Sequence, residues 1–445
     1  MTSLAQPRPS SGPVGSIARP LAGGRARIVV AGCLVVVTVV SSSNINPVLL
    51  GAAPETPSNL QQYLTILAWL VIIGASFSLP ARSRVGPWLD VAAGAAFLAY
   101  AIVSSAWSSA GAASFLKAAA LAITTLGAYR VAVTTSVAVV TDCVVAGLVA
   151  VTAASVATVL VAPGIGVIGT WMHNGQWSGI YESKQSLGVA GAFLIFFSFC
   201  RLRLRGGWLA FLASFGLGAA AVLGSGSRGG GAVALCAVLC VLLSNHSRLF
   251  SRALLVAPAL LTVAAVATLL GLEASGRSKL DILGTETDLT ERVVIWQYAL
   301  GKLSPHLLAG YGLNGFWTDA ELYDAFRRTH GWVLDNFHSG YLTILIELGM
   351  IGIVLFTLAA LLYAFRMSAR ERTGLVDAAR FNMISGFIFL VFVYNLTETF
   401  FLRSTTLISA LLTVFFLASA AVPVSGHARL RPDAALRAAA SGPSA

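Results

Sequence analysis

Glu273-Ala274-Ser275-Gly276-Arg277-Ser278-Lys279 begins a long polar stretch, and Asn336-Phe337-His338-Ser339-Gly340-Tyr341-Leu342 closes it. On either side the chain reads as helix compatible with hydrocarbon; this stretch does not. A bilayer core tolerates only backbone that satisfies its own hydrogen bonds, so the apolar flanks must cross as helices and the polar stretch must lie outside. That contrast predicts an all-α polytopic membrane protein with one large extracytoplasmic loop before its third-last helix.

The bulk composition agrees. Apolar residues make up 57% and charged residues 11% of the 445 residues, and the mean hydropathy is +0.81. A soluble chain carries roughly 25% charged residues. The net charge of +11 does not indicate a nucleic-acid partner. Its basic residues sit in short clusters between apolar runs and form no continuous face. The five cysteines all fall within apolar runs. Cys236 and Cys240 share a helix face, a spacing open to a metal or redox pair, but no His or further Cys stands near them. Small buried hydrophobes is the reading preferred.

Taken in order, residues 1–26 are rich in Pro, Gly, Ser and Arg and read as a disordered basic tail. Residues 27–272 hold about nine apolar segments, 273–339 the polar loop, 340–422 about three more segments, and 423–445 a second tail. The first segment, near Arg27–Val40, also has the look of a signal-peptide core, with Gly51-Ala52-Ala53 as a cleavage site; an uncleaved first helix is the preferred reading. The expected total is about twelve spans of close to 20 residues, with frequent Gly and Ala that permit close helix approach.

Charge asymmetry then gives an orientation. With the N-terminus cytoplasmic, the inside loops collect Arg82 and Arg84, Arg201, Arg203 and Arg205, Arg248 and Arg252, and Arg366, Arg370, Arg372 and Arg380. Both tails, also basic, fall inside. The expected site is then extracytoplasmic: the loop 163–186, Arg228 between two spans, and the long polar stretch all face outward.

The candidates for chemistry lie on that face. Arg228 sits in Ser225-Gly226-Ser227-Arg228-Gly229-Gly230-Gly231, where a guanidinium fork and glycine amides suit a phosphate; an arginine paired with lipid headgroups is the alternative. Arg292, in Thr290-Glu291-Arg292-Val293-Val294-Ile295-Trp296, reads as part of an amphipathic interfacial helix beside an interfacial Trp. Gly310-Tyr311-Gly312 lacks the strand of a dinucleotide loop and reads as a tight turn over the membrane surface. His338 is placed to take a proton from a sugar hydroxyl, or else to cap the following helix. Glu347 lies nine residues on, roughly 13 Å along a helix, which makes it an intramembrane carboxylate. It is a functional group or the structural partner of a nearby Arg or Lys. Glu182 and Lys184 sit at the edge of a span, as substrate contacts or solvated loop charges. Glu398, in Asn395-Leu396-Thr397-Glu398, orients an arginine or a sugar, or marks a helix end. No histidine pair has zinc spacing, so no metal is expected.

Together and in order, these segments resemble the O-antigen ligase and polymerase superfamily. The marks are Gly179-Ile180-Tyr181 with Lys184 and Leu187-Gly188; Ser227-Arg228-Gly229; Arg292 with Trp296; Pro305, Gly310-Tyr311-Gly312 and Phe316; and His338-Ser339-Gly340-Tyr341-Leu342 with Glu347-Leu348-Gly349 and Gly352. The resemblance covers roughly residues 179–398, and looks most like the exopolysaccharide polymerase branch. Two departures stand out: the family's His-Lys-Asn-like run reads Ser183-Lys184-Gln185, and its His-Asn pair reads His338-Ser339.

The resemblance implies a metal-independent glycosyltransferase without cofactor in the bacterial inner membrane. It implies transfer of a glycan from undecaprenyl diphosphate to an acceptor hydroxyl. Arg228 and Arg292 would bind the diphosphate and His338 would be the base. Tyr181, Glu182, Lys184, Gly310, Gly312, Tyr341, Glu347 and Glu398 are candidate supporting residues. The expected partners are the lipid-linked oligosaccharide, membrane lipids and other assembly proteins such as a chain-length regulator. A polymerase is the expected activity, and a ligase serving lipid A core or another acceptor is the near alternative. A flippase is the alternative of another class; it would place polar groups deep in several spans and show internal repeats, and neither is seen.

Overall fold

The computed structural model describes residues 19–42, 60–86, 91–169, 174–276, 280–282, 285–287, 292–331 and 336–423. The helices are α1 (Arg19–Ser41), α2 (Leu60–Ser76), α3 (Ala92–Val103), α4 (Ala112–Thr134), α5 (Val137–Val161), α6 (Pro163–Gly166), α7 (Lys184–Arg205), α8 (Trp208–Ser225), α9 (Arg228–His246), α10 (Arg248–Ser275), α11 (Arg292–Leu300), α12 (Ala320–His330), α13 (Gly340–Arg372), α14 (Ala378–Tyr394) and α15 (Leu407–Ala420). Among the described residues the strands are β1 (Ser83–Val85), β2 (Leu280–Ile282), β3 (Thr285–Thr287) and β4 (Ala421–Pro423). β1 pairs antiparallel with β4, and β2 with β3.

Among the described residues eight helices are long and apolar enough to cross a membrane: α1, α4, α5, α7, α8, α9, α10 and α13. Four shorter apolar helices, α2, α3, α14 and α15, stand at the remaining positions read from the sequence. The protein is an all-α polytopic membrane protein. α1 starts at Arg19, within the stretch read as a tail. Residues 1–18, the Gly51-Ala52-Ala53 segment and the tail from 424 on lie outside the described residues.

The bundle is dressed as hydrocarbon requires. Leu160, Val161, Leu209, Leu223, Leu249 and Phe365 are 72–85% exposed, an arrangement that water would penalise and a lipid environment accommodates. Hydroxyls within the helices turn back onto their own backbone: Thr38, Ser155, Ser198 and Thr262 each donate to the carbonyl four residues earlier, at 2.6–2.8 Å. A polar side chain is thereby satisfied without water.

α7 is the central helix, with Leu187–Phe197 buried without a break. Its N-terminal end crosses that of α9 through glycines: a Cβ on Gly230 would stand 2.7 Å from the carbonyl carbon of Gly188. Removal of both side chains lets the backbones touch. This is the physical content of the Leu187-Gly188 and Arg228-Gly229-Gly230 motifs, because the crossing brings Lys184 and Arg228, one at the start of each helix, side by side.

α13 is two helices in line. At Gly349 the backbone leaves helical geometry (φ 64°, ψ −164°), and the segment Leu307–Gly312 docks into the gap. Tyr311 and Gly312 N–H donate to the carbonyls of Ile346 and Glu347 at 2.9 and 2.8 Å, and the N–H groups of Met350 and Ile351 donate to Leu307 and Leu308 at 2.9 and 3.2 Å. These four bonds engage backbone groups on both sides of the break with the inserted segment. The Gly310-Tyr311-Gly312 turn is therefore inserted into a helix and is not a turn over the membrane surface. Gly310 and Gly349 both take positive φ, and a Cβ on either would collide with the opposing backbone, which is why the motif needs glycine.

From α11 to Phe337 the described residues of the polar stretch carry an aromatic cluster. Tyr298 of α11, Phe316, Trp317, Phe326 of α12 and Phe337 form a chain of rings with centroids 5.0–6.3 Å apart. α11 buries Val293, Ile295, Trp296, Ala299 and Leu300. It is thus a packed helix, not the amphipathic interfacial one expected, and its Trp is inside the protein.

Candidate active site

The site is built on the start of α13. Ser339 caps the helix, accepting from Leu342 N–H at 3.4 Å, and Gly340 N–H is shared between the carbonyls of Asn395 and Glu398, each at 2.9 Å. Asn395 is fully buried and accepts from Phe400 and Phe401 N–H at 2.9 and 3.1 Å. Its amide oxygen fills the space a side chain on residue 340 would need. Tyr341 is also fully buried, its hydroxyl donating to the Phe392 carbonyl at 2.8 Å. The Ser-Gly-Tyr run thus fastens α13 to the turn after α14, and that turn carries Glu398.

His338, one residue before the cap, takes φ of +50°. A left-handed conformation costs a non-glycine residue of order 1 kcal/mol. Three contacts hold it: Asn336 Oδ1 accepts from His338 N–H at 2.8 Å, the Phe337 carbonyl accepts from Trp296 Nε1 at 2.8 Å, and the buried Phe337 ring is wedged among aromatics. Strain kept at one polar residue by surrounding packing is a mark of a functional position.

Glu398 joins the two candidates that the sequence kept apart. One carboxylate oxygen lies 2.7 Å from Arg292 Nη2, and the other lies 3.5 Å from His338 Nδ1. The Arg292–Glu398 pair is 22% and 21% exposed, so it is half-sheltered but open to a ligand. Arg292 and Trp296 lie on one face of α11 at i,i+4. The same helix turn therefore sets the guanidinium and, through Phe337, the imidazole.

Arg228 and Lys184 form a second cationic group on the α7–α9 crossing. Lys184 Nζ donates to Gln176 Oε1 at 2.7 Å, and the Arg228 charge acts on it. Arg228 is exposed. It opens α9, whose N-terminus is capped by Ser227 accepting from Gly230 N–H at 3.1 Å, so the guanidinium is attached at the positive end of the helix dipole. Tyr394 links this group to the first. A Cβ on Gly229 would stand 3.8 Å from its ring, and its phenol feels the charges of Glu398 and Arg292.

The other supporting candidates are placed as follows. Tyr181 is fully buried, its hydroxyl 2.9 Å from Ser42 Oγ, and so ties the 162–183 segment to the end of α1. Ser183, the residue that departs from the family's run, is the N-cap of α7 and accepts from Ser186 N–H at 3.3 Å. Glu182 is exposed beside it. Gly310 and Gly312 belong to the inserted turn. Glu347 does not join His338: it accepts from the Asn314 amide and is approached by the charges of Lys117 and Arg403. Among the described residues no group of three or more His, Cys, Asp and Glu is arranged to hold a metal ion.

Sequence reading missed Asn395 as the buried anchor of α13, Tyr394 as the link between the cationic groups, and Lys117 with Asn314 beside Glu347. Asn395 had a visible signal, as the first residue of the run that contains Glu398. The others depend on contacts between helices far apart in the chain.

No curated protein matches the chain. A family model described as O-antigen ligase matches residues 213–357, a segment that takes in Arg228, Arg292, His338 and Glu347 but not Lys184 or Glu398. Over that segment the chain is similar to the O-antigen ligase family.

Proposed function

We propose that the protein is a polysaccharide polymerase, which transfers a glycan chain from undecaprenyl diphosphate to a hydroxyl of a lipid-linked repeat unit. The observation that carries this reading is the sharing of Glu398 between Arg292 and His338, which couples an anion-binding group to a base. Glu398 accepts Nδ1–H of His338, and this tautomer leaves the Nε2 lone pair for the acceptor hydroxyl. As the hydroxyl oxygen bonds to the anomeric carbon, its proton passes to Nε2 and the carbon–oxygen bond to the diphosphate breaks. Negative charge then builds on the leaving diphosphate. Arg292 has further N–H donors beyond the one given to Glu398, and with Arg228 it meets that charge from fixed positions, which stabilises departure without a metal. Lys184 adds a third cation beside Arg228.

In this reading the N- and C-termini are cytoplasmic, the site faces the periplasm, and the membrane is the bacterial inner membrane. The clustering of the starts of α7, α9 and α13 with the end of α14 supports one working face. A chain-length regulator is a further expected partner.

The family description favours a second reading, a ligase that delivers the chain to lipid A core or another acceptor. The two share donor chemistry and differ in acceptor. Purified protein incubated with undecaprenyl-diphosphate-linked repeat units alone will yield longer lipid-linked chains if it is a polymerase. Product that forms only after a second acceptor is added identifies a ligase, and no transfer under either condition overturns both.

A further inference from the structure

The last turn of α14 carries a hydroxyl that the fold leaves unused. Tyr394, its final residue, is 4% exposed. Other sheltered tyrosines engage their hydroxyls with protein oxygens: Tyr181 with Ser42 at 2.9 Å, Tyr298 with the Leu322 carbonyl at 2.6 Å, and Tyr341 with the Phe392 carbonyl at 2.8 Å. The Tyr394 hydroxyl makes no hydrogen bond among the described residues. Burial of a polar group without a partner costs stability, and a phenylalanine would fill the same volume without that cost. An orphaned hydroxyl beside a site calls for a ligand that completes it.

The ring is fixed where it stands. Phe400 stacks on it, with centroids 5.0 Å apart and planes 28° apart. The Tyr394 carbonyl accepts from Glu398 N–H at 3.0 Å. One helical turn therefore carries both the phenol and the carboxylate that joins Arg292 to His338. On its other side lies the start of α9. Among the described residues, a Cβ on Gly229 would meet a single neighbouring atom within 4 Å, Cε2 of Tyr394 at 3.8 Å. Arg228 and Gly229 are both exposed, so the space over them is open. Cε2 adjoins the ring carbon that bears the hydroxyl, and this edge of the ring borders that space. Tyr394 thus stands between Arg228 and the Arg292–Glu398 pair, with its one donor unengaged.

We propose that Tyr394 is a further donor-binding residue, whose hydroxyl donates a hydrogen bond to an oxygen of the lipid diphosphate held by Arg228 and Arg292. This rests on the reading of those arginines as the donor site, which polymerase and ligase share. A phenol O–H supplies direction where the guanidinium groups supply charge. The cost of burying the hydroxyl in the free protein is then offset when the donor arrives.

The test uses full-length protein in nanodiscs and measures binding of undecaprenyl diphosphate to the wild type, Tyr394→Phe and Arg228→Ala/Arg292→Ala. In Tyr394→Phe the Kd should rise roughly 10- to 100-fold, the worth of a hydrogen bond to a charged acceptor. The Tm of the ligand-free variant should stay the same or rise, because no bond within the protein is lost. For undecaprenol, which has the chain and no phosphate, the variant should match the wild type. A Kd for undecaprenyl diphosphate within about twofold of wild type overturns the proposal. A lowered ligand-free Tm also overturns it, since the hydroxyl would then be bonded inside the protein, and so does an equal loss with undecaprenol, which would make the ring a chain contact. If the double arginine variant binds undecaprenyl diphosphate as tightly as the wild type, the donor-site reading falls and takes this inference with it. If the arginine variant loses binding and Tyr394→Phe does not, that reading stands and the role of Tyr394 alone is wrong.

Discussion

At one end of α13, Arg366 and Arg370 are 4% and 6% exposed and turn their N–H groups onto the last turn of α15. Arg366 donates to Phe416 O and Ser419 Oγ at 3.2 and 2.7 Å, with its guanidinium 4.8 Å over the Phe416 ring; Arg370 donates to Ala421 O and Ala420 O at 2.8 and 2.7 Å. At the other end, Arg292 gives one short bond to Glu398 and stays partly exposed, and Arg228 makes no hydrogen bond or ion pair among the described residues. The first pair caps a helix whose terminal carbonyls would otherwise be orphaned in a dry place. The second pair keeps donors in reserve. Equal charge counts thus hide opposite uses, and what separates them is how many N–H groups the fold has already engaged.

That contrast can be broken by substitution. The largest effect should come from Arg228→Ala/Arg292→Ala: donor kcat/KM falls by about 10³-fold or more, since each fixed donor at a developing charge contributes on the order of 10²-fold. Initial rates at low donor concentration measure it, and a loss below about tenfold would make these arginines structural. Next is Glu398→Gln, which keeps the shape but weakens its hold on both neighbours. Turnover should fall by roughly 10- to 100-fold, by analogy with groups that orient an active-site imidazole, with the protein still folded. The smallest effect on turnover belongs to Arg366→Ala. It removes the donor to Phe416 O and Ser419 Oγ and should lower stability by about 1–3 kcal/mol, read as a lower Tm. Turnover per folded molecule should stay within about twofold. A loss of turnover without a loss of Tm would reverse the comparison.

The sequence made the spans legible because hydrocarbon imposes one requirement on every crossing segment; among the described residues eight helices meet it in length and composition, and four shorter apolar helices stand at the other expected positions. The positive clusters read as cytoplasmic loops include Arg366 and Arg370, whose helix-capping contacts lie beyond the reach of any loop count. Arg228, Arg292 and His338 were legible as residues but not as a constellation. Glu398 is 60 residues from His338 and 106 from Arg292, and nothing local says which arginine it serves. The break in α13 was hidden for a related reason. Glu347-Leu348-Gly349 continues an apolar helical pattern, and only the turn at Gly310 that fills the gap explains why the helix opens there. Trp296 beside Arg292 looked interfacial because a Trp near a basic residue usually is; its indole instead holds the Phe337 carbonyl.

The central claim is that His338 is the base of a site in which arginines hold the donor. It is tested most directly by measuring transfer and donor binding together in His338→Ala, with undecaprenyl-diphosphate-linked repeat units as substrate. The account predicts that transfer falls by about 10²- to 10⁴-fold, the range for loss of a general base, while the Kd for the donor stays within about twofold. Near-normal turnover in that variant would contradict it.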